Sequence, residues 1–215
     1  SGVVVYGTSI NNTIIDNHIH HGGILHKYSG GVMCGNDIDK TRIAHNLIEY
    51  MPQNGIHAGA IKKGQNCIEY NIIRYVCQEG ADNGGIYNVG PYNIGHTIRF
   101  NYITDVYGCE VVNGKVGRAA PTGLPTSGIY LDNYTSNCDV YGNIIVRCSN
   151  SGVLIHGGKG NKIRNNIVVE CRNLVQFQDI GWMPEMRNNM TGTLVERNIC
   201  YQKRSDAFLF YLQSF

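Results

Sequence analysis

Charge is scarce in this chain, proline scarcer still, and no long apolar run occurs anywhere in its 215 residues. Charged residues make up 16%, with 18 basic against 16 acidic side chains and a net charge of +2. That balance excludes the strong positive field with which proteins draw nucleic acid or anionic membranes. The lack of a stretch of about 18 apolar residues excludes a membrane-spanning helix. Eight cysteines are present, yet no Cys-x-x-Cys and no paired Cys/His spacing of the zinc type, so a metal knuckle is not expected. The cysteines sit mostly in apolar strand contexts and read as small hydrophobes. Only 5 prolines accompany 27 glycines and about two dozen asparagines. Both abundant residues tolerate positive φ, so this composition calls for many repeated tight turns rather than disorder.

A repeat supplies them. One asparagine per unit aligns Ile14-x-x-Asn17-x-Ile19, Ile43-x-x-Asn46-x-Ile48, Ile68-x-x-Asn71-x-Ile73, Ile98-x-x-Asn101-x-Ile103, Val140-x-x-Asn143-x-Ile145, Ile163-x-x-Asn166-x-Val168 and Val195-x-x-Asn198-x-Cys200. A second landmark precedes six of these asparagines at a nearly constant interval: Gly2-Val3, Gly31-Val32, Gly55-Ile56, Gly85-Ile86, Gly128-Ile129 and Gly152-Val153. In the seventh unit, Asn173 to Asp179 stands in its place. The segments are short, β-branched and alternating, without the three-and-four spacing of a helical repeat. The expected fold is all-β, a right-handed parallel β-helix of about seven coils, each with at least two short strands. Residues 1-215 form a single domain in this reading, with loop excursions at 107-127 and 179-190. An asparagine at a bend can bond both the backbone and the asparagine of the next coil, so that column is read as structural. Cys148 and Cys171 occupy equivalent positions of successive repeats, which predicts a thiol stack or, in an oxidising compartment, a disulfide.

Ser1 opens inside a strand without the basic region of a signal peptide, and the tail Ala207 to Leu212 is apolar. The expectation is a processed or incomplete chain whose solenoid ends are capped by further segments or another subunit.

Solenoids gather function on one face, because equivalent positions of neighbouring coils form columns of side chains. Counting from each Gly-Val/Ile glycine, the second outward position carries Val4, Met33, His57, Tyr87, Tyr130 and Leu154, and the fourth Tyr6, Gly35, Gly59, Val89, Asp132 and His156. His57, Tyr87 and Tyr130 on successive coils, with Asp132 and His156 beside them, would line a shallow groove suited to sugar hydroxyls. The 107-127 excursion could bring Glu110, Lys115 or Arg118 to one end of that groove, and the 179-190 excursion holds Trp182, the only tryptophan, as a stacking platform or a loop anchor.

The segments Asp82-Asn83-Gly84-Gly85-Ile86-Tyr87 and Gly128-Ile129-Tyr130-Leu131-Asp132 resemble those of bacterial right-handed parallel β-helix repeat proteins, a group similar to β-helix glycoside hydrolases such as fucosidases, xylanases and β-xylosidases. The likeness spans about Asn11 to Gln202, and departs from the pattern at Asn83, where glycine is usual, and at Asn133, where an acid often follows. It implies that Asp82 and Asp132 are the catalytic carboxyls of a hydrolase acting on a plant or microbial polysaccharide or oligosaccharide, and by analogy an extracellular or periplasmic location. No cofactor is expected; Ca²⁺ has only Asp37 and Asp39 as close acids in the first coils. On a straight strand Asp82 and Asp132 would lie roughly 23 Å apart along the strand direction, so they meet only if the Asp82 segment folds over the groove; failing that, Asp132 and His156 form the tighter pair. Two alternatives stay open. One is a lyase or epimerase with His57 or His156 as base, Tyr87 or Tyr130 as acid, and Lys62, Lys63 or Arg118 neutralising a uronate. The other is a non-catalytic carbohydrate-binding solenoid, favoured if Asp82 caps a turn.

Overall fold

The computed structural model describes residues 1–59, 65–91, 94–112, 115–118, 125–181, 183 and 189–213, and for 110–118 the backbone only. The described residues contain no helix, and most of their strands stack coil upon coil in three large parallel sheets, with a short parallel pair, Ser9–Ile10 and Ile38–Asp39, and one antiparallel hairpin besides. The broad sheet has eight strands: Val3–Val5, Val32–Cys34, Ile56–Ala58, Asn83–Val89, Thr126–Asp132, Ser151–His156, Asn173–Gln178 and Phe208–Gln213. The second sheet runs through seven strands from Thr13–Ile15 to Leu194–Glu196, and the third through seven from His18–His20 to Ile199–Tyr201. Seven coils thus form a parallel β-helix, with three principal strands per coil where the repeat alone suggested at least two.

The asparagine repeat fixes the corner between the second and third sheets. The residue before each asparagine, Asp16, His45, Tyr70, Phe100, Gly142, Asn165 or Arg197, adopts a left-handed conformation with φ between 52° and 66°. Such a turn aims the following amide along the solenoid axis. Asn71 donates from both its backbone N–H (3.0 Å) and its side-chain Nδ2 (2.9 Å) to Oδ1 of Asn101, which does the same to Asn143 at 3.0 and 2.9 Å. The file is unbroken from Asn17 to Asn198. Nδ2 of each internal member also bonds a carbonyl of the preceding coil, as Asn101 does with Ile68 at 3.0 Å, so groups orphaned by the turn are satisfied without water.

Inside the solenoid the inward residues form aliphatic columns. Ile14, Ile43, Ile68, Ile98, Val140 and Ile163 make one, and Ile19, Ile48, Ile73, Ile103, Ile145 and Val168 another, nearly all fully buried. The glycine landmark follows from the second column. A Cβ on Gly128 would lie 2.4 Å from Cγ2 of Ile145 and 2.9 Å from the Gly152 carbonyl oxygen, and Gly31, Gly55 and Gly85 face the same obstruction. Glycine is therefore required where the chain turns onto the broad sheet. In the last coil Leu174 takes that place where the isoleucine column has shrunk to Cys200, so volume is exchanged across the corner.

One expectation needs correction. The 107-127 excursion is not all loop: Cys109–Val112 and Lys115–Arg118 pair antiparallel as a hairpin, and Thr126 and Ser127 belong to the broad-sheet strand Thr126–Asp132. The last broad-sheet strand, Phe208–Gln213, leaves Leu209 and Leu212 at 59% and 75% exposure, an apolar edge at that end of the solenoid.

Candidate active site

The broad sheet presents its outward face in the register that the columns predict. His57 pairs with Tyr87, Tyr87 with Tyr130, Tyr130 with Leu154, and Val89 with Asp132. His57 and Tyr87 meet edge to face at 5.1 Å between ring centroids, and Tyr87 and Tyr130 likewise at 5.2 Å. Their uniform orientation follows from strand alternation, since Ile56, Ile86 and Ile129, one residue earlier, all face the core.

Asp82 does not lie far out along a straight strand. It has φ of 57°, a left-handed conformation that aspartate tolerates, just before the strand Asn83–Val89, whose Asn83 and Gly84 pair with Thr126 and Ser127. A Cβ on Gly84 would be 2.8 Å from the Ile86 carbonyl oxygen and 3.2 Å from Cβ of Tyr130, so only glycine fits this close to Ile86 and Tyr130. The bend at Asp82 is held by the Gly84 N–H on Oδ1 of Asn54 (2.8 Å) and by the Asn83 amide on the Ala81 carbonyl (2.6 Å), so asparagine at position 83 has a local structural function. The Asp82 carboxylate accepts a hydrogen bond from the Tyr130 hydroxyl at 3.2 Å.

A hydrogen-bonded cluster results. Asp132 accepts from the Tyr87 hydroxyl (2.6 Å), from its neighbour's backbone N–H at Asn133 (2.7 Å) and from Nδ1 of His156 (2.6 Å). The Tyr130 hydroxyl lies between Asp82 and Nδ1 of His156, 3.3 Å from the latter. Nε2 of His156, on the other side of the ring, is buried with no partner among the described residues. The straight-strand expectation of a wide separation is overturned: left-handed Asp82 places its carboxylate on the Tyr130 hydroxyl, which contacts the same Nδ1 of His156 that holds Asp132. The tighter pairing of Asp132 with His156 forms as well.

Burial perturbs Asp82, the two tyrosines and His57. Burial raises the pKa of Asp82, and the negative charge of Asp132 raises it further, against the opposing hydrogen bond from Tyr130. Desolvation likewise raises both tyrosine hydroxyls far above their usual range, so Tyr87 and Tyr130 stay protonated donors. His57 is pushed down to about 4 by burial, against the attraction of Asp132, and is neutral near pH 7.

Tyr130 does not line an open groove. Its side chain faces outward from the sheet but is only 1% exposed, with Gly84 close to its Cβ and the Asp82 carboxylate on its hydroxyl, and Met33 and Leu154 of the same column are also buried. Tyr130 therefore organises the cluster and offers no ring face to a ligand, whereas His57, Tyr87, His156 and Asp82 remain partly accessible. The side chain of Glu110 and the whole of Trp182, Lys62 and Lys63 lie outside the described residues, as does the side chain of Arg118. Two contributors had no repeat signal. Tyr28, in the excursion between the first two coils, stands close enough to influence Tyr87, and Asn133 contributes through its backbone. Among the described residues no group of three or more His, Cys, Asp and Glu side chains is arranged to hold a metal ion. Comparison of the chain with protein-family models, curated proteins and solved structures finds no match, so the reading of this site rests on its own geometry.

Proposed function

We propose that the protein is a carbohydrate-active enzyme, a glycoside hydrolase that acts on a plant or microbial polysaccharide or oligosaccharide with Asp82 as proton donor and Asp132 as base or nucleophile. The observation that supports this reading best is two carboxyls of unlike environment joined through Tyr130 and His156: Asp82, with a raised pKa, accepts from the Tyr130 hydroxyl, which also contacts His156, and Asp132 is held by three donors, His156 among them. Glycosidic cleavage needs that asymmetry, one carboxyl protonated to release the leaving oxygen and one ionised to attack or to activate water. Desolvation of Asp82 keeps the proton available nearer neutrality than an exposed aspartate would. Tyr87 and His156 fix the Asp132 carboxylate, and the partly accessible His57 and Tyr87 edges offer hydrogen bonds to sugar hydroxyls.

The Asp132–His156 contact favours one second reading. A carboxylate on Nδ1 orients an imidazole so that Nε2 can take a proton, which suits a lyase or epimerase acting α to a uronate carboxyl. The third alternative loses ground, since the Asp82 carboxylate bonds Tyr130 rather than capping its own turn.

Incubation with a panel of neutral and uronic-acid glycans separates these readings. Hydrolysis yields new reducing ends without unsaturation, and Asp82→Asn and Asp132→Asn should each lower turnover by roughly 10²–10⁴-fold with the fold retained by circular dichroism. Ultraviolet-absorbing unsaturated ends, lost in His156→Ala, would instead establish the lyase. Binding without product would leave a carbohydrate-binding solenoid.

A further inference from the structure

The two thiols at the end of the third sheet are not used by any chemistry on the outer face. Cys148 closes the strand Ile144–Cys148, and Cys171 follows Ile167–Val169 one coil later. The register pairs Ile144 with Ile167, Ile145 with Val168 and Val146 with Val169. Arg147 and Glu170, the next residues, share a left-handed φ of 53°, so Cys148 and Cys171 emerge from identical turns as stacked equivalents. Neighbouring coils are about 4.8 Å apart, inside the Cα range of roughly 4.4–6.8 Å that a disulfide spans. Direct contact is present: the Cys148 backbone N–H donates to Sγ of Cys171 at 3.4 Å, and the thiols lie within hydrogen-bonding reach of each other. The Cys148 sulfur is also confined from above, since a Cβ on Gly128 would be 3.3 Å from it. Cys77 and Cys200 lie near this pair, but neither occupies the equivalent turn position.

We propose that Cys148 and Cys171 are a covalent modification site, an inter-coil disulfide that forms when the protein folds in an oxidising compartment. The co-reactant is a small-molecule disulfide such as oxidised glutathione. Each protein thiol gives up its proton, the pair gives up two electrons to form one S–S bond, and the glutathione S–S bond is reduced to two thiols. The bond forms during folding, because both thiols end nearly inaccessible at 3% and 0% exposure and burial holds the Cys148 thiol well above its usual pKa. Its consequence is local. It ties the fifth coil to the sixth, and these are the coils that carry Asp132 and His156, so the bond would hold the 2.6 Å contact between them against separation of the stack.

The test is to refold the full chain in a glutathione redox buffer, block free thiols under denaturing conditions, and map the peptides by mass spectrometry. The expected product has six blocked cysteines and a Cys148–Cys171 linked peptide, with a thermal midpoint that drops on reduction. Cys171→Ser should refold, lose the linked peptide and show no drop on reduction. Eight blockable thiols after oxidative refolding, or a linked peptide joining another pair, would overturn the proposal. If Cys171→Ser does not fold, Cys148→Ala with the same thiol count replaces it, and a linkage persisting there overturns the proposal equally.

Discussion

Asp82 shows how one residue can be both poorly placed for stability and well placed for chemistry. Its raised pKa means that the folded protein holds the Asp82 proton to a higher pH than the unfolded chain does. By linkage, stability from this group is complete below the unfolded value of about 3.9 and is lost as pH rises through the folded value, the reverse of a salt-bridged aspartate. Asp82→Asn should therefore raise the thermal midpoint at pH 7, with an advantage that fades as the pH is lowered toward 4. An equal or lower midpoint at pH 7 would mean that its desolvation is compensated by contacts beyond Tyr130. The same substitution removes the proton donor, so stability and turnover should move in opposite directions. Asp82 was legible as a candidate from its Asp-Asn-Gly-Gly setting, and so was its need for a bend. The partner that the bend gives it, the Tyr130 hydroxyl, was not, because the direction of the Asp82 side chain depends on a left-handed φ that sequence permits without requiring.

At the level of the element, the asparagine file carries the largest local consequence of a single change. Asn101→Ala removes the acceptor for both the backbone N–H and Nδ2 of Asn71, and deletes the donor bonds to Ile68, Arg99 and Asn143. Each buried group left without a partner costs about 1–3 kcal/mol, so a loss of about 3 kcal/mol or more is expected by chemical denaturation. Asn198→Ala, at the end of the file, removes the acceptor of Asn166 and one bond to Ile163, and should cost less. Equal losses at the two sites would show that corner geometry, and not the continuous amide file, sets the cost. These corners were readable from sequence because they recur: a turn that must be solved seven times leaves the same residue seven times. The hairpin Cys109–Val112 with Lys115–Arg118 occurs once and left no such trace.

For the molecule as a whole, two desolvated imidazoles, His57 and the buried His96, shape the response to acid. His57 is pushed down to about 4 and His96, wholly buried, to about 3, each chiefly by desolvation. The unfolded chain binds these protons first, near pH 6.5, so the stability they support is complete above that pH and is lost as pH falls toward 4 and then 3. The unfolding free energy should decline between pH 6.5 and 4 with a slope of up to about 1.4 kcal/mol per pH unit for each histidine. His57→Gln should flatten that slope, and an unchanged slope would remove His57 from the acid response.

Periodicity in the chain was enough to give the solenoid, its seven asparagine corners, the glycine entries to the broad sheet and the two outward columns, one with His57, Tyr87 and Tyr130 and the other with Asp132 and His156. All of these follow from periodicity, because parallel stacking turns a repeat in the chain into a straight line in space. Tertiary structure alone decided that Tyr130 is covered, that Asp82 reaches it, and that Asp132 and His156 close to 2.6 Å. Those outcomes depend on a bend and a turn that occur once, where neighbouring coils supply no template and only the packing of specific atoms selects the conformation.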